Sequence, residues 1–258
     1  MGLIFINVYK PKLNGYIPLK AIKHYKMKAI ALLVLSFVFF SGLGTSQTGT
    51  TTLAVLDFEN RSFMNAEAYA SLSQGLAEMM ITELSGIESV KMVERRRLKD
   101  MLSELNLAQS GLVSESNSIQ VGKMLGARNL VFGSFMVMPG EKIRIDIRIV
   151  EVETGSVVKA EEQTGKTKQV LTLIKKLGQK LLDNLDVRLT KAESKMLNQS
   201  RNLDMKAVML FSEGLGYEDR NNLQEAYLKY KQALAIEPEF LQVRDAIQRI
   251  AEKKRNQQ

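Results

Sequence analysis

From Ile143 to Ile149, isoleucine alternates with Arg144, Asp146 and Arg148. Successive side chains of a strand point to opposite faces, so this stretch buries one face and wets the other. A chain that carries it needs a sheet with one covered face and apolar helices to cover it. Val150 and Val152 break the alternation, and a β-bulge near Ile149 is expected to restore the parity. Pro139 and Gly140 mark a turn before the strand, and Glu153, Thr154 and Gly155 mark one after it. The flanking stretches 129–138 and 156–163 read as its neighbours in the sheet.

The helices to cover it are legible from period. Between 66 and 84, Tyr69, Leu72, Leu76, Met79, Met80 and Leu84 recur at helical spacing, and Gly86 suits the end of that helix. Leu98, Met101, Leu102 and Leu105 share a face over 95–107. A further helix is expected over 116–126, ending at Gly126, and a long amphipathic one over 168–189. A short apolar run at 53–58 reads as a buried strand, and 89–94 reads as a second strand. The fold class is therefore α/β (α+β): a mixed sheet with helices packed on it, in the order β-α-β-α-α-β-β-β-α. The helices are expected on one face, with the Arg144 and Arg148 face partly solvated.

The segment after residue 203 reads as helical throughout. Over 207–240, Gly214, Tyr217, Ala226, Tyr230, Ala233 and Pro238 fall at the offsets of a tetratricopeptide repeat. Small residues there let two helices approach closely, the tyrosines fill the groove, and Pro238 stops the second helix. Leu210 and Glu213 depart from that pattern, which often has Trp and Leu at those places. One such unit is too little for an independent solenoid. It is expected to dock on the preceding domain, on a second copy, or on a partner.

Charge narrows the function classes. The chain carries +8, but residues 1–46 hold six Lys, the sole His (His24) and no acid. Within them an apolar run over 29–40 is followed by small residues, the layout of a secretory signal peptide. The run is shorter than the roughly 20 residues a spanning helix needs. Met27 is the expected true start, with 1–26 an upstream extension. Export would remove this segment and leave a net charge of +2 with no His, Cys or Trp. Ser-His-Asp and Cys-His catalysis, soft-metal sites and a Cys-linked lipid anchor are excluded on residue types alone. No cofactor or metal is expected, and nucleic acid is not an expected partner.

Three further features have plain readings. The run Glu94-Arg95-Arg96-Arg97 reads as a solvated helix start rather than a phosphate site. Asp57 and Glu59, two apart near a strand end, would share a face if the strand continued, and form the one candidate acid pair for catalysis. The isoleucine strand also has the period of a membrane strand, but its turn is tight and no aromatic girdle flanks it.

Taken together, 53–165 resembles the CsgG family of bacterial envelope proteins. The resembling stretches are AVLDFEN (54–60), GLAEMMITEL (75–84), Val93, Glu94 and Arg95 followed by Leu98, Met101 and Leu102, and AQSGL (108–112). GKMLGA (122–127), LVFGS (130–134) and VEVETG (150–155) complete them. Asp57, Phe58, Glu94, Arg95, Gly126, Ala127, Gly133 and Gly155 are the positions that carry the resemblance. It implies a protein of envelope assembly, secretion or regulation, and not an enzyme. Lipoprotein members keep a Cys after the signal peptide, which this chain lacks. The channel member inserts long hairpins into the membrane where this chain has a tight turn at 138–142.

The expected layout is a leader over 1–46, a CsgG-like α/β domain over 47–190, a linker over 191–203 and a repeat-like helical segment over 204–258. The expected function is a non-enzymatic periplasmic scaffold or accessory, associated with the outer membrane and partnered by envelope proteins or a second copy of itself. A ring-forming outer-membrane channel of the curli type is the alternative, and an enzyme acting on cell-wall glycan through Asp57 or Glu59 a further one.

Overall fold

The structure, a computed structural model, describes residues 50–105 and 114–255 of the 258-residue chain. The expected leader over 1–46 and the 108–112 motif lie outside the described residues. Six strands form one sheet: β1 (Thr51–Val55), β2 (Glu59–Asn60), β3 (Val90–Met92), β4 (Asn129–Met138), β5 (Lys142–Glu151) and β6 (Val157–Lys166). Their order is β3-β1-β4-β5-β6, with β2 pairing β4 beyond the end of β1. β1 runs parallel to β3 and β4, whereas β4, β5 and β6 form an antiparallel meander. The register between β5 and β6 shifts between Ile149 and Val150, where the parity break placed a bulge. Two residues of β2 are too few to show any period, and that strand was not expected.

Eight helices accompany the sheet among the described residues: α1 (Leu72–Ser85), α2 (Arg95–Glu104), α3 (Glu115–Met124), α4 (Val170–Asn184), α5 (Lys191–Asn198), α6 (Met205–Asp219), α7 (Leu223–Ile236) and α8 (Leu241–Arg255). α4 is shorter than the expected 168–189: a 3-10 turn precedes it, and Asp186 takes a left-handed φ of 55° just beyond its end. The expected linker holds α5, started by a reciprocal cap in which Thr190 accepts from the Glu193 N–H and Glu193 accepts from the Thr190 N–H.

Helices cover both faces of the sheet, not one. On the first face, Leu53, Val55, Val131 and the four isoleucines of β5 pack beneath α1 and α4. On the second, Ala54, Leu56, Leu130 and Val152 pack beneath α2 and α3 through Leu98, Leu102 and Val121. The second cover reaches only part of that face. Arg144, Asp146 and Arg148 lie beyond it and stay partly exposed.

The C-terminal helices dock on the sheet domain. α1 lies between the sheet and α6, and the approach is close: a Cβ on Gly75 would sit 1.9 Å from Ser212 Oγ. One apolar cluster therefore runs unbroken from the sheet through α1 into Phe211, Tyr230 and Phe240. Within the helical unit the Tyr230 ring lies against Gly214, where a Cβ would come within 2.3 Å of it. Ala226 and Ala233 are fully buried, Tyr217 is partly buried, and Pro238 sits in the turn before α8.

Candidate functional site

Where α2 and α3 stop covering the second face, a cleft of about 980 Å³ opens between α2 and strands β4 to β6. Phe132, Ser134, Arg148 and Ala160 lie along its sheet side, and Lys99 and Ser103 along its α2 side. The stretch 57–61 borders it from above. That border is anchored by Phe58, whose ring lies over Gly133, 2.4 Å from where a Cβ would be, so only glycine leaves it room. The Phe58 N–H donates to the Ser73 carbonyl, and the Arg61 N–H donates to the Phe135 carbonyl. At the far side Arg148 stacks on Phe132, 4.9 Å from its centroid, and donates to Glu115 at 2.7 Å.

Behind the α2 wall lies an array of paired charges. Arg95, the first residue of α2, is only 5% exposed. Its guanidinium makes a bidentate pair with Asp219 at the end of α6, at 2.7 and 2.9 Å. It also reaches Glu78 of α1 at 3.3 Å and Asp57 at 3.4 Å. Lys99, one turn along, bridges Asp219 at 2.6 Å and Asp57 at 3.1 Å. Glu78 is shared with Arg249 of α8 at 3.0 Å. Arg249 and Lys253 hold Glu218, which also accepts from the Tyr230 hydroxyl at 2.9 Å. Four acids and four bases thus join the cleft border, α1, α2, α6 and α8 into one neutral array.

The ionisation of these groups follows from their partners. Burial pushes the Asp219 carboxyl up, but Arg95 and Lys99 outweigh it and hold it below the usual carboxylate range. Burial also acts on Glu218, and Arg249 and Lys253 outweigh it to hold that carboxyl at about 2, against an ordinary 4.5. Burial works against the charged Arg95 as well, yet Asp219, Asp57 and Glu78 raise its pKa above the ordinary value. Burial and the Glu218 charge both push the Tyr230 hydroxyl up.

A carboxyl whose folded pKa is depressed stabilises the fold fully above its unfolded pKa and loses that contribution as pH falls through the folded one. Glu218 therefore stabilises the docked helices above pH 4.5 and ceases to do so on approach to pH 2. Glu218→Gln is expected to flatten the acid limb of stability against pH in that window, measured by urea melts. An unchanged limb would contradict the assignment.

The structure brings four of the eight resemblance positions to this cleft: Asp57, Phe58, Arg95 and Gly133. Glu94 caps α2 from an exposed position without a side-chain hydrogen bond. Gly126 and Gly155 take φ of 68° and 69° in the turns after α3 and between β5 and β6, and Ala127 is buried beside the first. The expected acid pair does not form. β1 ends at Val55, so strand parity does not hold through Asp57; that residue turns to Arg95 and Lys99 while Glu59 pairs with Arg61 at 2.6 Å. The arginine run is corrected too. Arg97 is exposed and Arg96 partly so, but Arg95 is buried beneath Asp219.

Sequence reasoning did not find Glu78, Asp219, Glu218, Arg249 or Lys253. One signal was present: Glu78 and Glu83 are the only charges on α1, a helix buried over most of its surface. Buried acids need partners. Glu83 meets Lys175 of α4 at 3.4 Å and accepts from Gln242 of α8 at 2.7 Å. Among the described residues, no group of three or more His, Cys, Asp or Glu is placed to hold a metal ion. No helix among them is long and apolar enough to cross a membrane.

The family model for the curli production assembly/transport component CsgG matches residues 42–137, less than half of the chain. No curated protein matches the chain. Among solved structures, the LpoB C-terminal domain from Escherichia coli is similar at 21% identity and a TM-score of 0.36, covering 48% of this chain and 89% of that one. The lipoprotein GNA1162 from Neisseria meningitidis is similar at 11% identity and a TM-score of 0.38, covering 54% and 99%. The PelC dodecamer from Paraburkholderia phytofirmans is similar at 17% identity and a TM-score of 0.32, covering 55% and 91%. With TM-scores this low, these likenesses carry no weight for function.

Proposed function

We propose that this chain, whose residues 42–137 carry the CsgG family match, is an exported accessory protein of the bacterial envelope that holds a protein partner in the cleft beside α2. One observation carries the reading. Asp57 and Phe58, Arg95, and Gly133 come from three separate segments and converge on one open cleft. Two of them serve its architecture: Gly133 seats Phe58, and Arg95 fixes the α2 wall.

The chemistry of the cleft suits binding rather than turnover. The five acids that line it are all in ion pairs: Asp57 and Asp219 with Arg95 and Lys99, Glu59 with Arg61, Asp100 with Arg96 and Asp146 with Arg144. Apolar side chains such as Phe58, Leu98, Leu102 and Phe132 line it among paired charges, a mixture that suits a protein interface. The charge balance agrees with export: without the basic leader the chain is close to neutral. The non-enzymatic reading rests on this make-up and on residue types, since neither His nor Cys occurs after residue 46.

The test is a photo-cross-linking amino acid at Ser103, on the α2 side of the cleft, in native cells that are then fractionated. The expected product is a cross-link to an envelope protein in the periplasmic or outer-membrane fraction. A chain found wholly in the cytosol with residues 1–46 intact would overturn the proposal.

A further inference from the structure

β6 is the last strand of the sheet, and β5 is its only strand partner among the described residues. The groups facing its open edge follow from the ladder. The Thr167 N–H donates to the Glu141 carbonyl, which continues the register in which Lys142 faces Lys166. Antiparallel strands alternate between hydrogen-bonded and non-hydrogen-bonded pairs. Gly165, Gln163, Glu161 and Lys159 therefore direct their backbone groups to β5. Lys166, Thr164, Glu162 and Ala160 direct theirs outward.

This edge is unusually open. It is ten residues long, has no Pro, and leaves Val157 and Val158 51% and 42% exposed. Soluble proteins shorten, kink, cover or charge such edges, because a free row of N–H and C=O groups invites another strand; β6 does carry charges, but of both signs, so a second copy can match them. Here the bulge lies at one end only.

We propose that β6 pairs antiparallel with β6 of a second copy of this chain, continuing the sheet across a twofold axis centred on Ala160. Charge and the length of strand available choose both occupant and register. Centring on Ala160 places Lys159 opposite Glu161 twice, and Val157 and Val158 opposite Gln163 and Glu162. The Ala160 pair is then a hydrogen-bonded one, made by outward-facing groups. The Lys159–Glu161 pairs are non-hydrogen-bonded ones, whose side chains lie closest. Centring on Lys159, Glu161 or Glu162 sets that charge against its own copy. Centring on Gln163 avoids the clash but forms no ion pair, and centring on Thr164 pairs Glu162 with Lys166 but runs the partner into the 3-10 turn at Thr167–Gln169 and leaves Val157 and Val158 uncovered. Glu161 already receives Lys180 at 2.8 Å and Asn184 at 3.1 Å on the same face, so its carboxylate is held in place for the incoming lysine. The edge adjoins the cleft, whose lining includes Ala160, but the inference rests on the backbone and charges of β6 and does not depend on the cleft reading.

The chain has no Cys, so a single introduced thiol reports on this contact alone. Ala160→Cys in the full chain is expected to give a disulfide-linked dimer on mild oxidation. Glu162→Cys, offset from its own copy in this register, is expected not to. In sedimentation, the unmodified protein is expected to form a concentration-dependent dimer. Ala160→Pro removes an outward N–H and leaves the β5 ladder intact, so it is expected to give a folded monomer. Lys159→Glu, on the exposed surface, is expected to weaken the dimer about tenfold or more. A protein that stays monomeric at all concentrations would overturn the proposal. So would an oligomer that neither substitution weakens.

Discussion

Replacing Arg95 with Met is expected to remove about 3–5 kcal/mol of stability. Met roughly preserves the volume, so the loss reports the charge. Without the guanidinium, Glu78 keeps Arg249, and Asp57 and Asp219 keep only Lys99. Asp219 is mostly buried, and water cannot fully take over from the lost partner. Urea denaturation of the purified chain measures the effect. The loss should be strongly coupled to Asp219→Asn in a double-mutant cycle, because the two side chains form one bidentate pair. A loss below about 1 kcal/mol would mean that the pair behaves as an exposed one does.

Gly214→Val is expected to cost about 3 kcal/mol and to release the C-terminal helices first. A Cβ at this position would lie 2.3 Å from the Tyr230 ring. That ring cannot easily yield. Its hydroxyl donates to Glu218, and its face is set 6.0 Å from Phe211, which in turn packs on Phe240 at 5.2 Å. Limited proteolysis should then cut within 205–255 before the sheet domain. A melting curve and cleavage pattern matching the unmodified protein would show that the approach of α6 and α7 is not close.

The sheet was the legible part of this chain because its signal is local. A period of two, broken at Val150, identifies β5, its buried face and its bulge without reference to any other segment. The helices were legible in place but not in surroundings. The spacing from Leu72 to Leu84 predicts a helix with one buried stripe, whereas α1 is covered on its other side by α6, more than a hundred residues later. Within the α1 sequence, its two glutamates, Gly75 and the consecutive apolar residues Met79, Met80 and Ile81 hint at that second cover, but none of them says which segment supplies it. α5 was marked by a Thr190–Glu193 capping signal that a reading of 191–203 as polar linker passed over.

The candidate site was legible in part. Asp57, Phe58, Arg95 and Gly133 were singled out together, but as members of a resemblance and not as neighbours. Their meeting depends on parallel pairing of β1 with β4 and on the placement of α2, which no local pattern encodes. Arg95 was misjudged because three consecutive arginines look like a wet surface. On a helix, consecutive residues point in different directions, and the first of the three points beneath Asp219, 124 residues away.

The cleft beside α2 is the site that we propose receives a protein of the envelope. Cross-linking from Ser103 in intact cells tests it most directly, with Gln224 on the exposed side of α7 as the reference position. The predicted result is one dominant product at Ser103, absent at Gln224, that joins the exported chain to an envelope protein and fades when Gly133→Leu displaces Phe58 from the cleft border. The same products from both positions, or a product with a cytosolic protein on a chain that still carries residues 1–46, would contradict it.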